Sequence, residues 1–353
     1  MRGKRFGDQR LLQIRACEQV EQEVRSHFEA LETTTGVVRN GNRLFSRIAF
    51  VLQALDALPQ LRQRIDVQAL PPEEVTAVMA RLVSGRLAVV FEAADSATDP
   101  EISRALVALF NFMQGKEFAG LERAFGAATF ASGHTDAGRQ QQWLHLIASQ
   151  EHCFEVFTGF SEAAVRQAWN DLQGGESLAE LERLRRVGCA LNTQGTLDAE
   201  LSQVWYKCCT RRIDAMKTVE DLLATNLRVL CERRTAQART ELRDQQAILD
   251  SLSRQTQIAS PHAPTPYGPQ LERSILGMVQ EQARRLQAMG DELETVRAAL
   301  TERKVVERAK GLLMASRKLS EDDAYKMLRQ TAMSQNRKLL DVAETVLAMS
   351  DFL

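Results

Sequence analysis

A chain of 353 residues, 44% hydrophobic and 26% charged, is long enough for two or three domains with sizeable cores. Its net charge of −1 excludes a generally basic nucleic-acid-binding coat, so any such contact has to come from a local patch. The six cysteines, Cys17, Cys153, Cys189, Cys208, Cys209 and Cys231, form no CxxC pair and the five histidines are scattered, so neither a metal nor a cofactor is expected.

Leu, Ala, Gln, Glu and Arg outweigh Val, Ile, Thr and Tyr, a balance that favours helix and predicts an all-α fold. The amino terminus, Met1 to Gly7, is basic but lacks the apolar run of a signal peptide. The longest apolar stretch, Ala105 to Met113, is half a membrane span and is interrupted by Asn111. A soluble, cytoplasmic protein with no membrane partner is expected.

From Gly7 onward, Leu11, Ile14, Cys17, Val20, Val24, Phe28 and Leu31 recur at steps of three and four, one face of an amphipathic helix. The pattern returns through Leu44, Ile48, Val51, Leu52 and Leu55, then through Val75, Val78 and Leu82 after Pro71-Pro72, and again from Ile102 to Phe125. Breaks are expected at Thr34-Thr35-Gly36, Leu58-Pro59, Asp99-Pro100, Ser132-Gly133-His134 and Gly174-Gly175. Between Asp198 and Ser253 there is neither proline nor glycine, and about fifty helical residues would span on the order of 75 Å.

Residues 260–269 hold four of the eight prolines, so 254–270 is expected to be a semi-rigid linker between a domain over 1–253 and another over 271–353. After it, Val279, Leu286, Leu293 and Leu300 recur every seven residues with Met289 and Val296 between them. This is either a short coiled-coil seam that could pair two copies over 279–300 or a helix packed within its own domain. Three short helices should follow with a core over 301–350, the first running through Gly311 and ending near Arg317-Lys318.

Gly311 lies inside a strongly helical pattern, at a cost of roughly 1 kcal/mol relative to alanine. Either another helix or an outside molecule comes close to the backbone there. Around it, from Arg303 to Lys338, ten Lys and Arg stand against four acids, a net +6. From charge alone this is either a nucleic-acid patch or a solvated helical face.

Ala309-Lys310-Gly311-Leu312-Leu313-Met314, followed by Ala324, Leu328-Arg329, Ala332, Asn336 and Val342-Ala343, resembles the ANTAR domain, a helical RNA-binding module of transcription antitermination regulators. The resemblance implies binding to paired hairpins in an mRNA leader, so that a terminator hairpin fails to form. The matching surface is Lys304, Arg308, Lys310, Gly311, Arg329, Asn336, Arg337 and Lys338: Lys and Arg would hold phosphates while Gly311 admits a nucleotide. For Arg329 an ion pair with Glu307 or Asp323 is the alternative.

Lys116 to Ala124, then Leu178 to Arg186, with Trp205 and Arg211 to Met216, resembles the NIT domain, an all-helical nitrate- and nitrite-sensing module. By motif position Arg123 and Arg183 would hold the anion, whose planar oxygens match the forked donors of arginine. Two arginines from different helices repel each other until an anion bridges them, though both could equally form structural ion pairs. The family pattern carries a helix before the Gly3-Lys4-Arg5-Phe6-Gly7 turn, so the first sensor helix is expected to be missing and nitrate binding weakened.

Together these resemblances imply a non-enzymatic antitermination regulator in which nitrate or nitrite in the sensor releases the RNA-binding end. The competing expectation is a ligand-independent coiled-coil adaptor whose basic end binds protein or DNA. No nucleophile with a base, no phosphate loop and no paired catalytic carboxylates stand out.

Overall fold

The computed structural model describes residues 7–32, 41–174, 176–189, 196–258, 269–317, 319, 321–335 and 337–350. Among them the only secondary structure besides eleven helices is an isolated bridge between His134 and Thr196. The helices are α1 (Gly7–Glu32), α2 (Gly41–Asp66), α3 (Pro72–Ser96), α4 (Pro100–Ser132), α5 (Ala137–Phe160), α6 (Ala163–Gln173), α7 (Glu176–Cys189), α8 (Leu201–Ile258), α9 (Pro269–Arg317), α10 (Glu321–Ser334) and α11 (Leu339–Ser350). They form two compact units, residues 1–97 with 104–235, and 98–103 with 236–353. The expected domain end at 253 therefore falls within α8, and most of the expected linker lies outside the described residues.

In the first unit, α2 and α3 pair around Val51, Leu55 and Leu58, with Leu82 and Val89 of α3 and Val24 of α1 against them. The break expected at Leu58-Pro59 does not occur, because α2 runs through Pro59. A proline inside a helix removes one hydrogen bond and costs about 3 kcal/mol. Here the buried stripe of Val51, Leu55 and Leu58 outweighs it, since burying each such side chain contributes about 1.5–3 kcal/mol. The break at Asp99-Pro100 does occur, with Asp99 Oδ1 accepting from the backbone N–H of Glu101 (2.9 Å) and Ile102 (3.1 Å). Gly133 ends α4 with φ of 65°, a left-handed conformation that glycine adopts without strain.

Helices α4 to α8 enclose two aromatic clusters. One joins Phe112, Phe154, Phe157 and Trp169 to Met216, Val219 and Leu223 of α8. The other joins Phe130, Trp143 and Trp205 to Leu181 and Leu184 of α7, and the two indoles meet edge to face with centroids 5.0 Å apart. Gly188 lets α7 close onto this cluster, because a Cβ there would lie 2.3 Å from the Trp143 ring.

In the second unit, Ala309 and Leu313 of α9 pack with Ala324, Leu328 and Ala332 of α10 and Val342 and Ala343 of α11. Alanines at four of these seven positions let three short helices share one small core. Val296 and Leu300 of the expected seam are buried within the chain itself, whereas Leu286 is 69% exposed. No helix among the described residues is long and apolar enough to cross a membrane, and no cluster of three His, Cys, Asp or Glu residues there could hold a metal ion.

Candidate anion site and nucleic-acid interface

Four helices of the sensor each carry a polar residue between apolar neighbours of a buried stripe. On α8 the line Trp205, Cys208, Cys209, Met216, Val219 and Leu223 includes Arg212, and on α7 the line Leu181, Leu184 and Gly188 includes Arg185. Glu122 occupies such a position between Ala119 and Gly126 on α4, and Gln150 between Leu146 and Cys153 on α5. Because each stripe faces the core, the four polar groups meet inside it.

Glu122 is only 1% exposed and has all its partners close by. Its Oε1 accepts from Trp143 Nε1 (3.0 Å) and Arg185 Nε (2.8 Å), and its Oε2 from Arg185 Nη2 (2.6 Å) and Gln150 Nε2 (2.6 Å). Burial alone would raise this carboxyl, but the Arg185 fork, Gln150 and Trp143 hold it below the ordinary carboxylate value. Burial likewise opposes the Arg185 charge, which Glu122 and Glu182 Oε1 (2.7 Å) more than restore.

Arg212 differs. Its Nη1 donates to Gln150 Oε1 at 2.9 Å, the same oxygen that Arg185 Nη2 reaches at 3.4 Å, and it has no carboxylate partner among the described residues. Burial and then the Arg185 charge lower its pKa, against the opposing pull of Glu122 and Glu182, so Arg212 is the guanidinium of the pair without a direct carboxylate contact among the described residues. Both guanidiniums line an open cleft of about 360 Å³, together with Phe154, Thr158, Trp169 and three carboxylates, Glu151, Glu155 and Glu182. The nearby thiols are inert at neutral pH: burial, then the Glu122 charge, pushes Cys189 up to about 11 and raises Cys209 as well.

The basic surface of the second unit is built on α9. Arg308 and Gly311 are exposed, and a Cβ on Gly311 would meet nothing within 4 Å. Close packing against another helix of this chain therefore does not explain the glycine. Lys304 and Arg329 are half-buried, and Arg337 and Lys338 are exposed at the start of α11. The Arg337 guanidinium donates to the Asp341 carbonyl (3.2 Å) and Thr345 Oγ1 (3.1 Å). Lys310 is buried at the flank of the core with its ammonium on Glu307 Oε1 at 2.8 Å. That pairing takes up Glu307, one of the two partners open to Arg329. Asn336 lies outside the described residues.

The family model for nitrate and nitrite sensing matches residues 2–228, well over half of the chain. The chain belongs to the nitrate- and nitrite-sensing (NIT) family. Residues 294–347 match the ANTAR domain. The nitrate regulatory protein of Klebsiella oxytoca is 31% identical over 330 residues, covering 94% of this chain and 79% of that protein. A solved structure of the NasR transcription antiterminator superposes with a TM-score of 0.54 at 28% identity, over 96% of this chain and 83% of that one. The transcriptional regulatory protein PdtaR of Mycobacterium tuberculosis is 41% identical over 64 residues, 18% of this chain and 31% of that protein.

Within the NIT domain the two arginines expected from motif position are not brought together. Arg123 is half-buried, with Nη1 on Thr210 Oγ1 at 3.0 Å and its guanidinium 5.0 Å from the centre of the Tyr206 ring. Arg183 is exposed, and neither lines the cleft. The convergence of two arginines from different helices is instead made by Arg185 and Arg212. Their signal in the sequence was a charged residue on an apolar stripe at helical spacing, which motif position passed over.

Proposed function

We propose that this NIT and ANTAR chain is a nitrate- or nitrite-responsive transcription antiterminator, with Arg212 and Arg185 as the anion-holding groups. The observation that carries the reading is the pair of guanidiniums on one amide oxygen, of which only Arg185 is in direct contact with carboxylates. A planar anion in the cleft would replace Gln150 Oε1 as the shared acceptor and give Arg212 a direct anionic partner. Binding needs no proton transfer, and nitrate stays charged at any physiological pH.

Arg212 sits on α8, whose chain leads from the sensor to the ANTAR end. A ligand that prefers one position of Arg212 therefore biases the placement of α8, and its differential affinity sets how far the equilibrium moves. The anion-bound state frees the ANTAR surface to hold a leader RNA with paired hairpins and keep a terminator from forming. Its groups are Arg308, Gly311, Arg329, Arg337 and Lys338, with Lys304 beside them and Asn336 from the family pattern. At Lys310 a phosphate has to compete with Glu307. The roles are those of binding and switching, with no catalytic residue. Self-association through 279–300 falls to the amino-terminal half of that seam, because Val296 and Leu300 are occupied within one chain.

The test is calorimetric titration of the full chain with nitrate and with nitrite. Arg212→Ala should abolish the binding heat while leaving the helical circular dichroism of the chain unchanged. Nitrate binding by Arg212→Ala at wild-type affinity would rule out this site.

A further inference from the structure

The inference drawn here rests on the RNA-binding reading above and concerns how far the RNA track extends along α9. At 100° per residue, Ala309 and Leu313 set the direction of the ANTAR core. The opposite line of the helix passes through Arg297, Thr301, Lys304, Arg308, Gly311 and Ala315. Arg297, Thr301, Arg308, Gly311 and Ala315 are exposed and Lys304 is half-buried, so the line faces outward over its whole length. It carries no acid. Glu294 and Glu307 flank it while Glu302 lies on the core side of the helix, and Glu307 is turned to Lys310, which lies off the line.

Arg297 and Arg308 make no hydrogen bond or ion pair among the described residues. A helical face whose guanidiniums are paired with no acid among the described residues, with a glycine that leaves open space, is complementary to a phosphate backbone. Further toward the amino terminus on the same line come Leu293 and Leu286, which offer a phosphate nothing.

We infer that Arg297 is a further RNA-contact residue and marks the end of a phosphate track running along the outer line of α9 to Gly311, about 21 Å at 1.5 Å per residue. Gly311, with Ala315 beside it, is where the backbone of the helix is approached, and Arg308, Lys304 and Arg297 follow the strand away from that point. Lys310 contributes less than its place in the motif implies, because its charge is already matched by Glu307.

The experiment measures binding of the full chain to a two-hairpin leader RNA at several salt concentrations. Arg297→Ala should weaken binding several-fold and make the slope of log affinity against log salt shallower by about 0.7–1, the amount for one lost phosphate contact. Arg297→Lys should keep most of that slope. Arg228→Ala, which removes one surface charge from the sensor, should leave both quantities unchanged. Wild-type affinity and slope in Arg297→Ala would overturn this inference and leave the RNA reading intact. A wild-type chain that ignores two-hairpin RNA, or binds duplex DNA of equal charge as well, would overturn the RNA reading itself.

Discussion

Replacing Gly311 with alanine should move stability and function in opposite directions. The added Cβ meets nothing within 4 Å, so it costs no packing, while an exposed mid-helix alanine is favoured over glycine by about 1 kcal/mol. The opening equilibrium of α9 should therefore fall about fivefold. Native-state hydrogen exchange on the full chain would show this as slower exchange of the α9 amides around residue 311, with sensor amides unaffected. The same methyl stands where a nucleotide is proposed to approach the backbone. Affinity for a two-hairpin RNA should drop by on the order of tenfold, about 1.4 kcal/mol. Faster exchange in the variant would mean that Gly311 is packed against something, and undiminished RNA affinity would mean that nothing approaches it.

In the sensor, Glu122→Gln leaves the buried Arg185 charge with Glu182 as its remaining carboxylate partner, at a cost on the order of 3 kcal/mol in denaturant unfolding. Because the folded Glu122 carboxyl is held below its ordinary value of 4.5, its contribution is fully present above that pH and is lost as pH falls through the folded value. Acid unfolding should accordingly be less steep in Glu122→Gln than in the wild type, and equal steepness would place the acid-sensitive group elsewhere. Gly188→Ala forces a methyl to within 2.3 Å of the Trp143 ring and should destabilise the sensor by about 1–3 kcal/mol. A neutral effect in equilibrium unfolding would show that α7 can shift without loss.

The all-α architecture, the long α8 and the three-helix ANTAR core were legible because apolar spacing and turn residues agreed along most of the chain. Pro59 was misleading, since local propensity says nothing of a buried stripe strong enough to carry a helix through a proline. At the RNA surface the interior glycine was visible in the sequence, but its direction emerged only once Ala309 and Leu313 had fixed which side faces the core. The count of ten basic residues against four could not reveal that Lys310 turns inward to Glu307. In the sensor, motif position pointed to Arg123 and Arg183. The residues that meet, Arg185 and Arg212, are marked by their places on apolar stripes, a physical signal that requires the partner helices to be assembled before it can be read.

The central claim is that anion binding in the sensor governs RNA binding at the ANTAR end. It is tested most directly by titrating a two-hairpin leader RNA with the full chain, with and without saturating nitrate, in wild type and in Arg212→Ala. The account predicts tighter RNA binding in the presence of nitrate for the wild type and no difference for the variant. RNA affinity that ignores nitrate and nitrite in the wild type would contradict it.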